Sequence, residues 1–217
     1  MKKKSCLLSL LCVMMLTQLT GCTPTTSPAA SQPAARQPQK IQAPAIQSDS
    51  EALSTQGLQA YQHFEYDKAI ALYDKAIDAD HNNYKAYSGK GIAMAMRGNE
   101  TGNKSDVSSG IAYIQKALSL YPDYVPTFYD LALACKINGQ YEIAIQYFQK
   151  VIDAEPDNTW SYYGIATIYG DKGQAKEAIS YLKKAIALDP QPVKEAARTQ
   201  SHFDKIRNNA DFQALVQ

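Results

Sequence analysis

Metal binding or nucleophilic catalysis in this chain would have to start from its three histidines, His63, His81 and His202, and from Cys135. Metal sites need His and Cys at short, fixed spacings, and no pair here has them, nor does a cysteine lie beside a histidine. Cys135 falls on the apolar stripe of its segment and reads as a small core residue rather than a nucleophile. Acid pairs such as Asp78 and Asp80 close a repeating segment, where charges are solvated, and no glycine-rich phosphate loop occurs. The chain is therefore expected not to be an enzyme and to need no metal and no cofactor. Its aromatic and aliphatic side chains are the better candidates for function.

Those side chains sit in segments that recur. Tyr73-Asp74-Lys75-Ala76-Ile77-Asp78-Ala79-Asp80-His81 returns as Ile114 to Pro122, as Phe148 to Pro156 and as Leu182 to Pro190. The closing residues His81, Pro122, Pro156 and Pro190 are separated by 41, 34 and 34 positions, a period that means stacked supersecondary units instead of one globular core. Within each unit, apolar residues at three- and four-residue spacing mark paired helices, as with Leu53, Gly57, Ala60 and Tyr61 followed by Tyr66, Ala69, Ile70, Tyr73 and Ala76. Small residues such as Gly57 and Ala69 stand where two helices must approach closely, and the closing proline ends the second helix. Ser48 and Glu51 have the spacing of a capping box and predict a helix start there.

This pattern resembles the tetratricopeptide repeat family over 50–83, 84–124, 125–158 and 159–192. The resemblance implies an all-α, right-handed helix-turn-helix solenoid of four units, with a helical cap over 193–217. In the cap, Val193 to Arg198 predicts a solvating helix, and Phe203, Ile206, Phe212 and Leu215 a short apolar closure. The second unit departs from the pattern, with about seven extra residues within Gly98 to Ser105 and Gly110 where the family has alanine. The extra residues read as a turn insertion or a partner-contacting loop. The resemblance further implies a concave groove whose contact places fall on Tyr61, Ser88, Ile92, Met96, Tyr129, Leu133, Lys136, Ile137, Trp160, Tyr163, Thr167 and Asp171. Tyr129, Trp160 and Tyr163 would form an aromatic patch, of the kind that anchors interfaces. The Lys, Arg and Asn of the chaperone-tail carboxylate clamp are mostly missing from these places.

The N-terminus carries a separate message. Lys2, Lys3 and Lys4 precede an apolar run from Cys6 to about Leu19, which is too short to span a membrane and reads as a secretory signal over 1–21. Leu19-Thr20-Gly21-Cys22 resembles the lipobox of bacterial lipoproteins, which implies cleavage before Cys22 and lipidation of its thiol. Thr23 at the next position would favour the outer membrane in enteric-type bacteria. Residues 22–49 carry five prolines and no aromatic residue, and are expected to be a disordered tether reaching at most about 80 Å. Without the leader, 19 basic side chains face 21 acidic ones, so nothing suggests a nucleic-acid surface. These readings together predict a lipid-anchored interaction scaffold of the cell envelope that binds a peptide or helix of a partner. A self-associating structural lipoprotein is the alternative.

Overall fold

In the computed structural model, residues 42–217 are described; Cys22, the leader and the tether as far as residue 41 lie outside them. The described residues form an all-α solenoid of four helical hairpins and a cap. The hairpins pair α1 (Ser48–Gln62) with α2 (Tyr66–Ala79), α3 (Tyr84–Thr101) with α4 (Lys104–Leu120), α5 (Val125–Ile137) with α6 (Tyr141–Ala154), and α7 (Thr159–Asp171) with α8 (Ala175–Leu188). The cap comprises α9 (Pro190–Thr199), a 3₁₀ helix (Ser201–Ile206) and α10 (Ala210–Val216). The first helices α1, α3, α5 and α7 adjoin one another in an inner layer, and α2, α4 and α6 each pack on the first helix of the following unit.

The register comes from one large side chain per second helix. Tyr73, Ile114, Phe148 and Leu182 keep the 41, 34, 34 spacing and are all buried. A Cβ on Gly57 or Gly89 would lie 2.9 Å or 2.2 Å from the Tyr73 ring, so that ring fills a notch open only because both residues lack side chains. Phe148 occupies the matching notch at Gly164, where a Cβ would come within 2.5 Å. Burying each such side chain is worth about 2–3 kcal/mol and aligns two consecutive units at once.

The prolines end the second helices indirectly. Tyr121, Glu155 and Asp189, each just before a proline, take extended backbone with ψ of 94°, 82° and 87°, as the clash with the proline ring requires. Asp80 does the same without a proline (ψ 104°); its carboxylate accepts from the N–H of Gln47 at 3.0 Å and of Asn82 at 2.9 Å. The turns inside the first, third and fourth hairpins are Schellman motifs. Gly139 and Gly173 adopt φ of 74° and 73° and donate to Lys136 and Gly170, while Gln140 and Gln174 donate to Cys135 and Tyr169. In the first unit Phe64, with φ 60° and 73% exposed, stands in the glycine place and makes the same bond to Tyr61.

Three sequence expectations need correction. Ser48 and Glu51 form no capping box: the N-cap is Gln47, without a side-chain cap, and Glu51 pairs with Lys85 at 2.6 Å. The extra residues of the second unit are not a loop. They lengthen α3 to 18 and α4 to 17 residues, against 13 and 14 in the third unit, and only Gly102 and Asn103 turn the chain between them. Gly91 and Gly110 let these helices touch backbone to backbone, since a Cβ on Gly110 would lie 2.4 Å from the Gly91 carbonyl oxygen. Finally, α9 does not merely solvate the end. Val193 and Ala197 are fully buried with Phe203, Ile206 and Phe212 against Leu182 and Ala185, closing the last apolar face.

Two substitutions test this account in opposite directions. Gly110→Ala should destabilise the fold by roughly 2 kcal/mol in urea unfolding, because helix backbones must separate to admit the methyl group. Phe64→Gly should stabilise it by about 1 kcal/mol, since relieving left-handed strain outweighs the glycine entropy at an exposed turn.

Candidate functional site

The apolar stripe that seats α1, α3, α5 and α7 on the second helices leaves their other face toward the inner side of the solenoid. Two hollows lie there. One, of about 440 Å³, is walled by Tyr61 and Glu51 of α1, Tyr73 of α2, Lys85, Ser88 and Ile92 of α3, and Tyr124, Pro126 and Asp130 beyond them. The other, of about 360 Å³, is walled by Val125, Pro126, Tyr129 and Asp130 with Val151, Glu155, Asn158 and Trp160. Pro126 and Asp130 belong to both, so the hollows adjoin across the start of α5. A third hollow, between the outer edges of α1 and α2, is lined by solvated side chains such as Glu65, Lys68 and Lys75.

The residues expected at the groove divide into three groups. Tyr61, Ser88, Ile92, Tyr129 and Trp160 line the paired hollows. Met96, Leu133 and Ile137 are half-buried beside the central core cluster. Trp160 is 42% exposed and stands edge-on to Tyr163 at 5.5 Å, while Tyr129 stands edge-on to Phe148 at 5.6 Å. The remaining four, Lys136, Tyr163, Thr167 and Asp171, are engaged by the chain itself.

The cap is responsible for Lys136, Tyr163 and Asp171, while Thr167 is held within its own helix. Tyr163 is 6% exposed, donates its hydroxyl proton to Gln200 at 2.8 Å and packs edge-on to Phe203 at 5.9 Å. Thr167 is buried and bonded back to the Gly164 carbonyl at 2.7 Å. His202, on the 3₁₀ helix, places Nδ1 2.9 Å from the Asp171 carboxylate and Nε2 3.2 Å from Lys136 Nζ. That geometry fits Nδ1–H donating to Asp171 and the lysine donating to Nε2. Burial pushes Lys136 down to about 8, with the Asp171 charge opposing it. The inner face is thus open from α1 to the first turn of α7 and covered beyond it. A Cβ on Gly170 would lie 2.5 Å from the His202 carbonyl oxygen, so the covering segment lies directly on α7.

Asp130 is the residue that sequence reasoning missed. The available signal was an acid between Tyr129 and Leu131, inside the largely apolar helix Val125–Ile137. It is half-buried at the seam of the two hollows. Burial pushes its carboxyl up to about 7, against the Ser88 hydroxyl, which donates to it at 2.7 Å. Its charge in turn raises the neighbouring phenols: burial first, then Asp130, holds Tyr129 up to about 12 and Tyr61 and Tyr73 higher still. Cys135 is buried in the central core, and burial pushes its thiol up to about 11, away from the reactive thiolate.

Tetratricopeptide repeat family models match residues 113–146 and 137–201. An uncharacterized protein of Methanocaldococcus jannaschii, MJ0572, is 44% identical over 48 residues, 22% of this chain; the match spans 56% of that protein's length. A crystal structure of MamA superposes with a TM-score of 0.52 at 26% identity, covering 67% of this chain and 81% of that one. YrrB, described as a tetratricopeptide protein with an unusual peptide-binding site, superposes with a TM-score of 0.53 at 18% identity, covering 79% and 90%.

Asp130 makes stability depend on pH in a definite direction. Its folded-state pKa is raised, so between about pH 4 and 7 the folded chain keeps a proton that the unfolded chain has lost, and stability falls as pH rises. Asp130→Asn should therefore stabilise the protein by roughly 2 kcal/mol more at pH 8 than at pH 4, allowing for water in the hollows. Urea titrations at the two pH values measure the difference.

Proposed function

We propose that this chain, whose residues 113–146 and 137–201 match tetratricopeptide repeat models, is a non-catalytic, lipid-anchored adaptor of the bacterial envelope that binds a peptide or helix of another protein on its inner face. The observation that carries this reading is the pair of adjoining hollows, with Trp160 left 42% exposed beside the half-buried Tyr129. An exposed tryptophan at the rim of an apolar hollow offers a large area for contact at little entropic cost, as binding anchors do. The peptide-binding site described for YrrB supports a ligand of this class for a similar solenoid.

The anchoring half of the proposal rests on Cys22, placed directly after Leu19-Thr20-Gly21. A thiol carrying two acyl chains, with a third on the amine, holds a protein at a bilayer, since each buried CH₂ adds about 0.8 kcal/mol. Residues 23–41, rich in Pro, Ala and Gln, would let the solenoid stand away from that surface. In a cell with two membranes the expected location is the outer one.

Two measurements test the halves separately. Cys22→Ser should abolish incorporation of radiolabelled palmitate and move the protein out of the membrane fraction; unchanged labelling overturns the anchor. Tyr129→Ala/Trp160→Ala should reduce recovery of the partner from solubilised envelopes at least tenfold, about 1.4 kcal/mol or more, with the circular dichroism of the fold retained. A partner recovered equally by both proteins would exclude the inner face. A concentration-dependent mass with no partner would favour self-association.

A further inference from the structure

The two hollows are not electrically neutral. Glu51, Asp130 and Glu155 line them, against Lys85 as the one lysine in their walls. Lys85 is already committed, its Nζ lying 2.6 Å from Glu51 Oε1. Lys90, on the same helix, is held by Asp74 at 2.5 Å and lies over the Tyr113 ring at 3.9 Å. Asp130 accepts a hydrogen bond from the uncharged Ser88 hydroxyl, and among the described residues no lysine, arginine or histidine forms an ion pair with it. Glu51 adds an unmet acceptor: its Oε2 is buried and has no hydrogen-bond partner.

A half-buried carboxylate without a cation is a cost to the unliganded fold, whether it stays ionised or takes up a proton. Such a group is compensated when a ligand brings the missing charge. The walls around Asp130 suit a cation on an apolar stem. Tyr61 and Tyr124 lie on one side and Tyr129 and Trp160 on the other, giving aromatic surface for a cation and apolar surface for methylenes. An anionic segment would meet a surplus of acids, and a purely apolar one would bury Asp130 further without pairing it.

Building on the groove reading above, we propose that the inner face captures its partner through a lysine or arginine side chain whose cation pairs with Asp130 between the two hollows. The residues flanking that side chain are apolar, packing against Ile92 and Pro126 on one side and Val151 and Trp160 on the other. Asp130 and Ser88 are then specificity-determining groups, and the aromatic rings supply contact area.

The test uses the full-length protein and a phage-displayed library of random dodecapeptides. Selection on wild type should enrich one lysine or arginine flanked by apolar residues, and selection on Asp130→Asn should lose that preference. In a recovered peptide made synthetically, replacing the basic residue by norleucine should weaken binding to wild type about 30-fold or more, as expected for removing one partner of a desolvated charge pair. The same change should alter binding to Asp130→Asn by less than threefold. The norleucine comparison on wild type needs no protein variant, so it decides the matter even if Asp130→Asn folds poorly. Recovered peptides that lack a basic residue, yet lose binding in Tyr129→Ala/Trp160→Ala, would overturn this inference and leave the groove reading standing. No recovered peptide, or binding indifferent to that double substitution, would overturn both.

Discussion

Everything in this molecule depends on a large side chain from each second helix seating among small residues of the first helices. Where Tyr73 fits between Gly57 and Gly89, one ring touches its own unit and the next, so the contact that closes a hairpin also sets the angle to its successor. Phe148 against Gly164 repeats the arrangement two units later. Because such interiors are close-packed, the geometry leaves little freedom to slide, and the inner layer of first helices is held at a defined curvature. The groove is a by-product of that curvature. Its walls are whatever the first helices carry on the side away from the seats.

The second unit shows how the constraint accommodates added length. Seven more residues could have formed a surface loop, at small entropic cost. They instead extend both helices, because Gly91 and Gly110 permit contact between backbones and Gly98 and Val107 continue the interface beyond them. Arg97 then joins Asp106 of the partner helix at 2.8 Å and Asp67 of the previous unit. Extra residues become ordered structure when they can bury a continuous face, and Val107 and Ile111 provide it.

The cap governs how much of the inner face remains available. A solenoid needs its last apolar face covered, and here the covering chain does more than that. Through Phe203, His202 and Gln200 it occupies Tyr163, Asp171 and Lys136, which would otherwise continue the groove. What stays open is the N-terminal and central part, where a carboxylate sits without a counter-charge among tyrosines. The proposed recognition works against stability at Asp130, where a group costly to the free protein would be kept for what it pairs with.

Periodicity alone determined that this chain is a stack of helical hairpins, because the 34-residue recurrence of apolar, small and proline positions is a local property that any such stack must display. The family resemblance, rather than periodicity, implied contact places at Tyr61, Ser88, Ile92, Tyr129 and Trp160, and these five do line the adjoining hollows. Neither periodicity nor resemblance could show that Lys136, Tyr163, Thr167 and Asp171 would be engaged elsewhere in the fold. Asp171 and His202 are 31 positions apart, and Lys136 and His202 66; only the path of the cap brings them together. Nor could either single out Asp130, whose environment is assembled from α1, α2, α3 and α5 and exists only once they pack. Repetition is written in the spacing of residues along the chain, whereas exposure, charge pairing and closure depend on which distant segments meet, and that was decided by the tertiary structure.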